Sequence, residues 1–473
     1  MNKKLLSECT TIIAGDKMTA DGSFILSRSS DFDAMMAINF EIHEDTHFGP
    51  EEFVAKDSKF RCPLPKEALG YSALPDYQFP GEWGSAGFNT LGIGMSSTET
   101  IFSSQKALNV DPYVTDGLAE NCTYNIVLPY IHSAREGVER LGMLIEKYGS
   151  AEGFGIGFID KKEIWYLENA GGHRYLACKM PRDRYFVTGN QSRYRDYDSN
   201  DKENFIASKD LIEFAQKNNL WNPADGKFDF HEAYTRDEKL DTTYNYPRVW
   251  GLQQMFSPSI KNDVTKNTFP IYTVAEKPMT ISDFRKAFRY HYDNTEHDPY
   301  LHSNGKEPYR PVGIFRTTQT HLLQVRPNLP KEIGCVSYVA MGMSDLGVFL
   351  PLYQGVKSYP ATYKMGNSHS DNQSAYWKFR KVMTLGMVNY NAYAPIIKEA
   401  YAKLEAENDQ RQKEMEKEYL KLYKDEPIKA NEMLQQFSDS ILNKAESVAE
   451  SLIEEIFTRL TLDIQKEYMF HGA

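Results

Sequence analysis

The residues of this chain best equipped for covalent chemistry lie in one stretch, residues 9–33, which reads CTTIIAGDKMTADGSFILSRSSDFD. A cysteine attacks as its thiolate, with a free pKa of about 8.5 that a neighbouring cation lowers. Cys9 is the thiol, and Arg28 and Asp31 are the cation and carboxylate that the same stretch returns towards it. Residues 10–14 are rich in β-branched types, 15–22 carry turn chemistry including Asp21-Gly22, and 23–27 are again β-prone, so the spacing predicts a hairpin. Pairing symmetric about that loop sets Cys9 opposite Arg28, and a slip of one residue would turn the facing side chain away. The plain alternative is a buried cysteine packed as a small hydrophobe, with Arg28 and Asp31 an ordinary strand-end ion pair.

Other elements must position these groups. Residues 37–43 read as a strand, and Pro63, Pro65, Pro75 and Pro80 mark a long irregular excursion. Residues 88–95 run from turn-prone types into an apolar strand, and 134–147 have the apolar spacing of an amphipathic helix. Strands are expected at 153–159 and 163–167, and at 185–188, ending on Gly189-Asn190. Further strands are expected at 312–315, 321–325 and 336–341, before long helical patterns at 400–424 and 428–466. The mixed Lys and Glu of those helices read as solvated faces, with helix-mediated homo-oligomerisation as the second reading.

Composition narrows the function. A net charge of −11 over 473 residues argues against nucleic-acid binding as the main role. No apolar run reaches the roughly 18–20 residues that span a bilayer, and the first eight residues, MNKKLLSE, are too short in apolar length for a secretory signal, so a cytoplasmic location is expected. Five dispersed cysteines without CxxC spacing fit reduced thiols. His291 and His297 sit among carboxylates, but their six-residue spacing is not that of an HExxH helix, and no metal is expected there. His173 reads as a packed histidine rather than as a base for Cys9.

Cys9, Thr10 and Ile12, then Thr19, Asp21, Gly22 and Ser23, then Arg28 and Asp31 form the pattern C-T-x-I, T-x-D-G-S, R-x-x-D. It resembles the opening of the dipeptidase A family of lactic-acid bacteria, cysteine members of the N-terminal-nucleophile hydrolase superfamily whose distant relatives include secernins and bile-salt hydrolases. Similar segments begin at Gly87, Ala151, Pro247, Phe288, Thr320 and Ser374, in order over most of residues 9–400. By itself the pattern of elements supports a mixed α and β protein. The resemblance implies more: an α+β, four-layer αββα sandwich, with residues 1–8 a propeptide, 9–400 the hydrolase domain and 401–473 a helical C-terminal extension.

In such hydrolases the nucleophile is the first residue of the mature chain, and its α-amine, of reference pKa about 7.7–8.0, is the general base. The resemblance therefore implies cleavage between Glu8 and Cys9. It gives Arg28 and Asp31 the task of holding thiol and amine, and Asn190, with backbone amides, the developing oxyanion. The segment holding Asn89 and Thr98 would lie beside the nucleophile and offer them to substrate as oxyanion donors, with a plain turn-forming asparagine as the other reading of Asn89 and of Asn190. Arg248 would neutralise charge near the cleft or form a structural bridge, and Asp298 would meet a dipeptide's ammonium group. The implied function is a cysteine dipeptidase of broad specificity that needs no cofactor. The alternatives are an amidase or acylase on another linear amide, and an unprocessed secernin-like protein without peptidase activity.

Overall fold

The computed structural model describes residues 8–78, 81–300 and 309–469, so residues 1–7 of the expected propeptide lie outside the described residues. The hairpin forms β1 (Glu8–Ala14) and β2 (Phe24–Asp31). The excursion that follows makes two short ribbons, β3 (Glu41–His43), β4 (Glu52–Val54), β5 (Arg61–Pro63) and β6 (Tyr71–Ala73), in which β3 pairs with β6 and β4 with β5. Then come β7 (Ala86–Phe88), β8 (Gly94–Thr100), β9 (Phe154–Ile159), β10 (Ile164–Ala170), β11 (Arg174–Lys179) and β12 (Tyr185–Thr188). The last strands are β13 (Phe205–Ala207), β14 (Tyr272–Thr273), β15 (Thr317–Val325), β16 (Cys335–Met341) and β17 (Leu350–Tyr353). One sheet runs β14-β12-β1-β2-β15-β16-β17 and the other β13-β11-β10-β9-β8-β7.

The two sheets lie face to face, β1 and β2 against β8 and β9. Every residue of β1, β8, β9 and β10 is buried, as expected of strands covered on both sides. Gly157 is the point of closest approach: a Cβ there would stand 2.5 Å from Leu26 Cδ1 of the facing sheet. Helix Ala134–Tyr148 packs on the outer face of β9–β11. Helices Ala375–Val388 and Pro427–Glu467 reach β16 and β17 of the first sheet. The order is helix, sheet, sheet, helix: a four-layer αββα sandwich. Helix Tyr390–Leu422 passes through residue 400 without a break, and the C-terminal helices share one hydrophobic core with the first sheet.

The hairpin register differs from the symmetric expectation. Cys9 pairs with Ser30, and Arg28 faces Thr11. The outgoing half of the loop stays tied to other segments, with Gly15 and Lys17 donating to Arg184 O and Arg182 O and Ala20 to Met279 O, so the return strand starts two positions late. A slip of two preserves the faces, so Arg28 remains on the Cys9 side as a diagonal neighbour. Elsewhere the expected strand at 37–43 shrinks to Glu41–His43. Residues 312–315 form no strand, because the amides of Val312 and Gly313 turn to Tyr290 O and the ladder starts at Thr317.

Candidate active site

β1 and β2 carry Cys9 and Arg28 into the gap between the sheets, opposite β8. Cys9 is fully buried. Arg28 Nη1 donates to Cys9 Sγ at 3.0 Å and to Thr98 O at 2.8 Å, while Nη2 donates to Ser97 O at 2.6 Å. Cys9 Sγ itself lies 3.3 Å from Thr98 O. Both carbonyls are available because β8 bulges here: the ladder to β9 jumps from Ser97 to Glu99 and leaves Thr98 as the extra residue. A second bulge skips Thr318 in β15 and brings Thr317 opposite Asp31. His321 of β15 is the register partner of Arg28 on β2, with Nε2 2.8 Å from Ser96 Oγ. Burial and the Arg28 charge hold its pKa well below the usual imidazole value, so it is neutral.

A second group grips the backbone of Cys9. The Cys9 amide donates to Asn190 Oδ1 at 3.3 Å, and Asn190 Nδ2 donates to Thr100 O at 3.0 Å. The amide oxygen of Asn190 thus faces the Cys9 nitrogen, and its NH₂ is turned to Thr100. Arg248, buried on helix Tyr246–Phe256, donates through Nη1 to Cys9 O and to Thr10 Oγ1 at 2.9 Å. Its Nη2 reaches Asn190 Oδ1 at 2.8 Å and Asn245 Oδ1 at 2.5 Å. Gly189 permits this close fit, since a Cβ at that position would stand 2.8 Å from Arg248 Nη2.

Asp31 does not touch Cys9. It accepts from Arg310 Nη2 at 2.5 Å, Thr317 Oγ1 at 2.6 Å and Ser29 Oγ at 3.1 Å, and so anchors the end of β2. Thr98 contributes its carbonyl to the thiol and also bonds Glu120 through its side chain. Asn89 and Asp298 are not among the groups that touch Cys9. The Asn89 amide closes the β7–β8 turn, accepting from Leu91 and Ile93 amides at 3.0 and 3.1 Å and donating to Leu128 O and Ile131 O at 3.1 and 2.9 Å. Asp298 is buried against His291 Nδ1 at 2.9 Å and the Tyr300 amide at 2.9 Å. The cavity beside Arg28, bounded also by Ser30, Ser97, Thr98, Glu120 and Thr318, holds about 30 Å³. That is room for a water, whereas small-molecule pockets run to roughly 300–1,000 Å³.

Two buried acids on this site were not anticipated. Glu99 accepts from Thr11 Oγ1 at 2.7 Å and Glu120 from Thr100 Oγ1 at 2.8 Å. For Glu99 the signal was present in residues 96–100, Ser-Ser-Thr-Glu-Thr, a polar run inside a strand buried along its whole length, while Glu120 opens the helix Glu120–Val127. Burial drives the Cys9 thiol up to about 12 against the pull of Arg28, with Glu99, Asp31 and Glu120 adding to the rise. While Cys9 carries a peptide-bonded nitrogen, its thiol stays protonated at neutral pH.

Burial likewise lifts Glu99 to about 8 and Glu120 to about 7, the latter aided by Glu152. Each carboxyl holds its proton more tightly folded than unfolded. Their contribution is therefore complete at low pH, below the ordinary carboxylate value near 4.5, and is lost as pH rises through 7 and 8. Replacing Glu99 by Gln should flatten the fall in melting temperature between about pH 6 and 9. An unchanged slope would show that Glu99 is already ionised.

The family model for peptidase family C69 matches residues 8–403. A probable dipeptidase of Salmonella dublin is 47% identical over 354 residues, 74% of this chain and 82% of that protein. Dipeptidase A of Lactobacillus helveticus is 31% identical over 470 residues, 96% of this chain and 98% of that one. Among solved structures, a mutant conjugated bile acid hydrolase from Clostridium perfringens is 12% identical and covers 77% of this chain and 98% of its own, at a TM-score of 0.29, a likeness too slight to carry an argument. With the match beginning one residue before Cys9 and spanning both sheets, the chain belongs to peptidase family C69.

Proposed function

We propose that this protein is a dipeptidase of broad specificity whose nucleophile is Cys9 and whose general base is the Cys9 α-amine. One observation carries the reading: the thiol and the backbone nitrogen of the same residue are each held by a dedicated partner, Arg28 for Sγ and Asn190 Oδ1 for N. A structural cysteine needs neither. The dipeptidase names of the Salmonella and Lactobacillus relatives support the substrate class.

Activation comes first. The Cys9 thiol adds to the Glu8 carbonyl, the Glu8–Cys9 C–N bond breaks as the nitrogen takes up the thiol's proton and becomes the free α-amine, and water hydrolyses the resulting thioester to release residues 1–8 and restore the thiol. In turnover the neutral amine takes the Sγ proton, and the thiolate attacks the dipeptide carbonyl. The amine then passes its proton to the departing amine, and water cleaves the acyl-enzyme. Arg28 stabilises the thiolate. Arg248, donating to Cys9 O, places positive charge near the amine and favours its neutral form. The Asn190 NH₂, turned from Thr100 O, and backbone amides meet the oxyanion, where one donor is worth about 2.7–4 kcal/mol. No cofactor enters these steps. The protein would act in the cytoplasm as a homo-oligomer, and among the described residues no helix is long and apolar enough to cross a membrane.

The test is a substrate panel on purified protein. Release of both amino acids from dipeptides of varied side chain, with N-acyl amides left intact, is the expected result. Turnover of acyl amides without dipeptides would replace this reading with the amidase one.

A further inference from the structure

Two kinds of group line the cavity beside Arg28. One kind is polar: Arg28 itself, with Ser97 and Thr98, whose carbonyls accept from its guanidinium at the nucleophile. The other is apolar and comes from outside the two sheets: Phe32, Met36 and Ile38 follow β2, and Trp83 stands with Ser85 just before β7. Asp76 adds a carboxylate that accepts from the Gln78 amide at 2.7 Å. Because Arg28 Nη1 and Thr98 O both reach Cys9 Sγ, a substrate carbonyl brought to that sulfur has this cavity beside it. Its volume, about 30 Å³, is little more than a water requires.

Trp83 and Ser85 hold their places against a conformational cost. Both are non-glycine residues in the left-handed region, at φ 55° and 56°, which a bulky side chain keeps only where its surroundings enforce it. Here they do. The Trp83 amide donates to Asn121 O at 2.8 Å, and the Asn121 side chain donates at 2.9 Å to Glu82, whose carboxylate also accepts from the Lys56 amide at 2.7 Å. Gly84 O accepts from Leu74 and Ser85 O from the Ser97 amide, each at 2.8 Å. Gly84 packs so closely on helix Glu120–Val127 that a Cβ there would run into the Tyr124 ring. None of these anchors lies in residues 1–8, so the wall stays when the leader is cut away, and a wall that cannot retreat discriminates by size. We propose that Trp83 sets the size limit of a side-chain subsite in the mature enzyme, admitting a small side chain of the dipeptide beside the scissile bond and excluding an aromatic one. The proposal rests on Cys9 as the nucleophile of a dipeptidase, and it narrows the broad specificity at one of the two substrate positions.

The full-length protein and its Trp83→Ala variant are assayed on alanyl-alanine, phenylalanyl-alanine and alanyl-phenylalanine. The wild type should cleave one of the two phenylalanine peptides far more slowly than alanyl-alanine. Trp83→Ala should raise kcat/KM for that peptide relative to alanyl-alanine by roughly 10- to 100-fold, the range over which one pocket wall discriminates apolar side chains, and leave the other ratio in place. A shift on phenylalanyl-alanine assigns the subsite to the first residue, and a shift on alanyl-phenylalanine assigns it to the second. Rates on all three peptides that fall together mark a purely structural role for Trp83 and overturn the proposal. Unchanged ratios, or a wild type equally fast on all three, overturn it too, and each of these results leaves the Cys9 mechanism standing. If Trp83→Ala is not recovered folded, Trp83→Phe decides, with a ratio raised roughly threefold or more upholding the proposal and an unchanged ratio overturning it. A wild type that cleaves none of the three peptides overturns the dipeptidase reading and the proposal together.

Discussion

Cys9→Ala should abolish peptide hydrolysis, with kcat/KM falling by roughly 10⁴-fold or more, the scale seen when a nucleophile is removed from a preorganised site. The same variant should keep residues 1–8 attached, because the thiol that opens the Glu8–Cys9 bond is gone. The fold should survive. Cys9 is small and fully buried, and its backbone remains held by Arg248 and Asn190. A Cys9→Ala protein with near-normal dipeptide turnover would remove Cys9 from the chemistry, and a soluble, unprocessed and inactive one is the expected product. Cys9→Ser separates the two roles of the atom: a hydroxyl is a poorer nucleophile than a thiol at neutral pH, so processing and turnover should slow together.

Arg28→Gln should cost about 10²–10³-fold in kcat/KM, by analogy with removing one charge-stabilising donor from a buried site. Arg28 is the cation that contacts Sγ, and it works against a burial effect strong enough to raise the thiol to about 12. Without it the thiolate loses its nearest stabiliser while Glu99, Asp31 and Glu120 continue to disfavour it. The pH profile should therefore shift to the alkaline side, a signature that simple loss of packing would not produce. Arg28→Lys should not restore activity. One planar guanidinium reaches Sγ, Thr98 O and Ser97 O together, and a single ammonium cannot span three acceptors in that fan. If Arg28→Lys matches the wild type, Arg28 acts only as a point charge.

The reason the thiol could be singled out from sequence while its environment could not is physical. A hairpin is local: turn residues and β-branched runs lie within residues 9–33, and the face shared by Cys9 and Arg28 survived even a two-residue error in register. The partners of Asp31 illustrate the opposite case. Arg310 and Thr317 are nearly three hundred residues away, brought in by a strand that pairs with β2 through a bulge, and no local pattern encodes that bulge. Asn190 was legible as a polar residue at a strand end, yet the orientation of its amide depends on Thr100 O and Arg248, which arrive from the other sheet and from a helix. Asn89 shows how a turn-forming asparagine can look functional: all of its amide bonds serve the β7–β8 turn and the segment packed beside it. The αββα layering followed from resemblance, because alternating buried strands alone fix neither sheet order nor which faces meet. Glu99 lay in plain view in a strand too polar for its burial, and a rule that treats buried polar strands as functional would have found it, whereas Glu120 opens the helix Glu120–Val127 and carried no such signal.

The central claim is that Cys9 works with a free α-amine, and intact-mass measurement of the catalytically active protein tests it most directly. The mass predicted is that of a chain beginning at Cys9, shorter by residues 1–8, with activity rising in proportion to that species. Active protein that retains Met1 and an uncut Glu8–Cys9 bond would contradict it, for the nitrogen held by Asn190 would then be an amide with no basic lone pair to give.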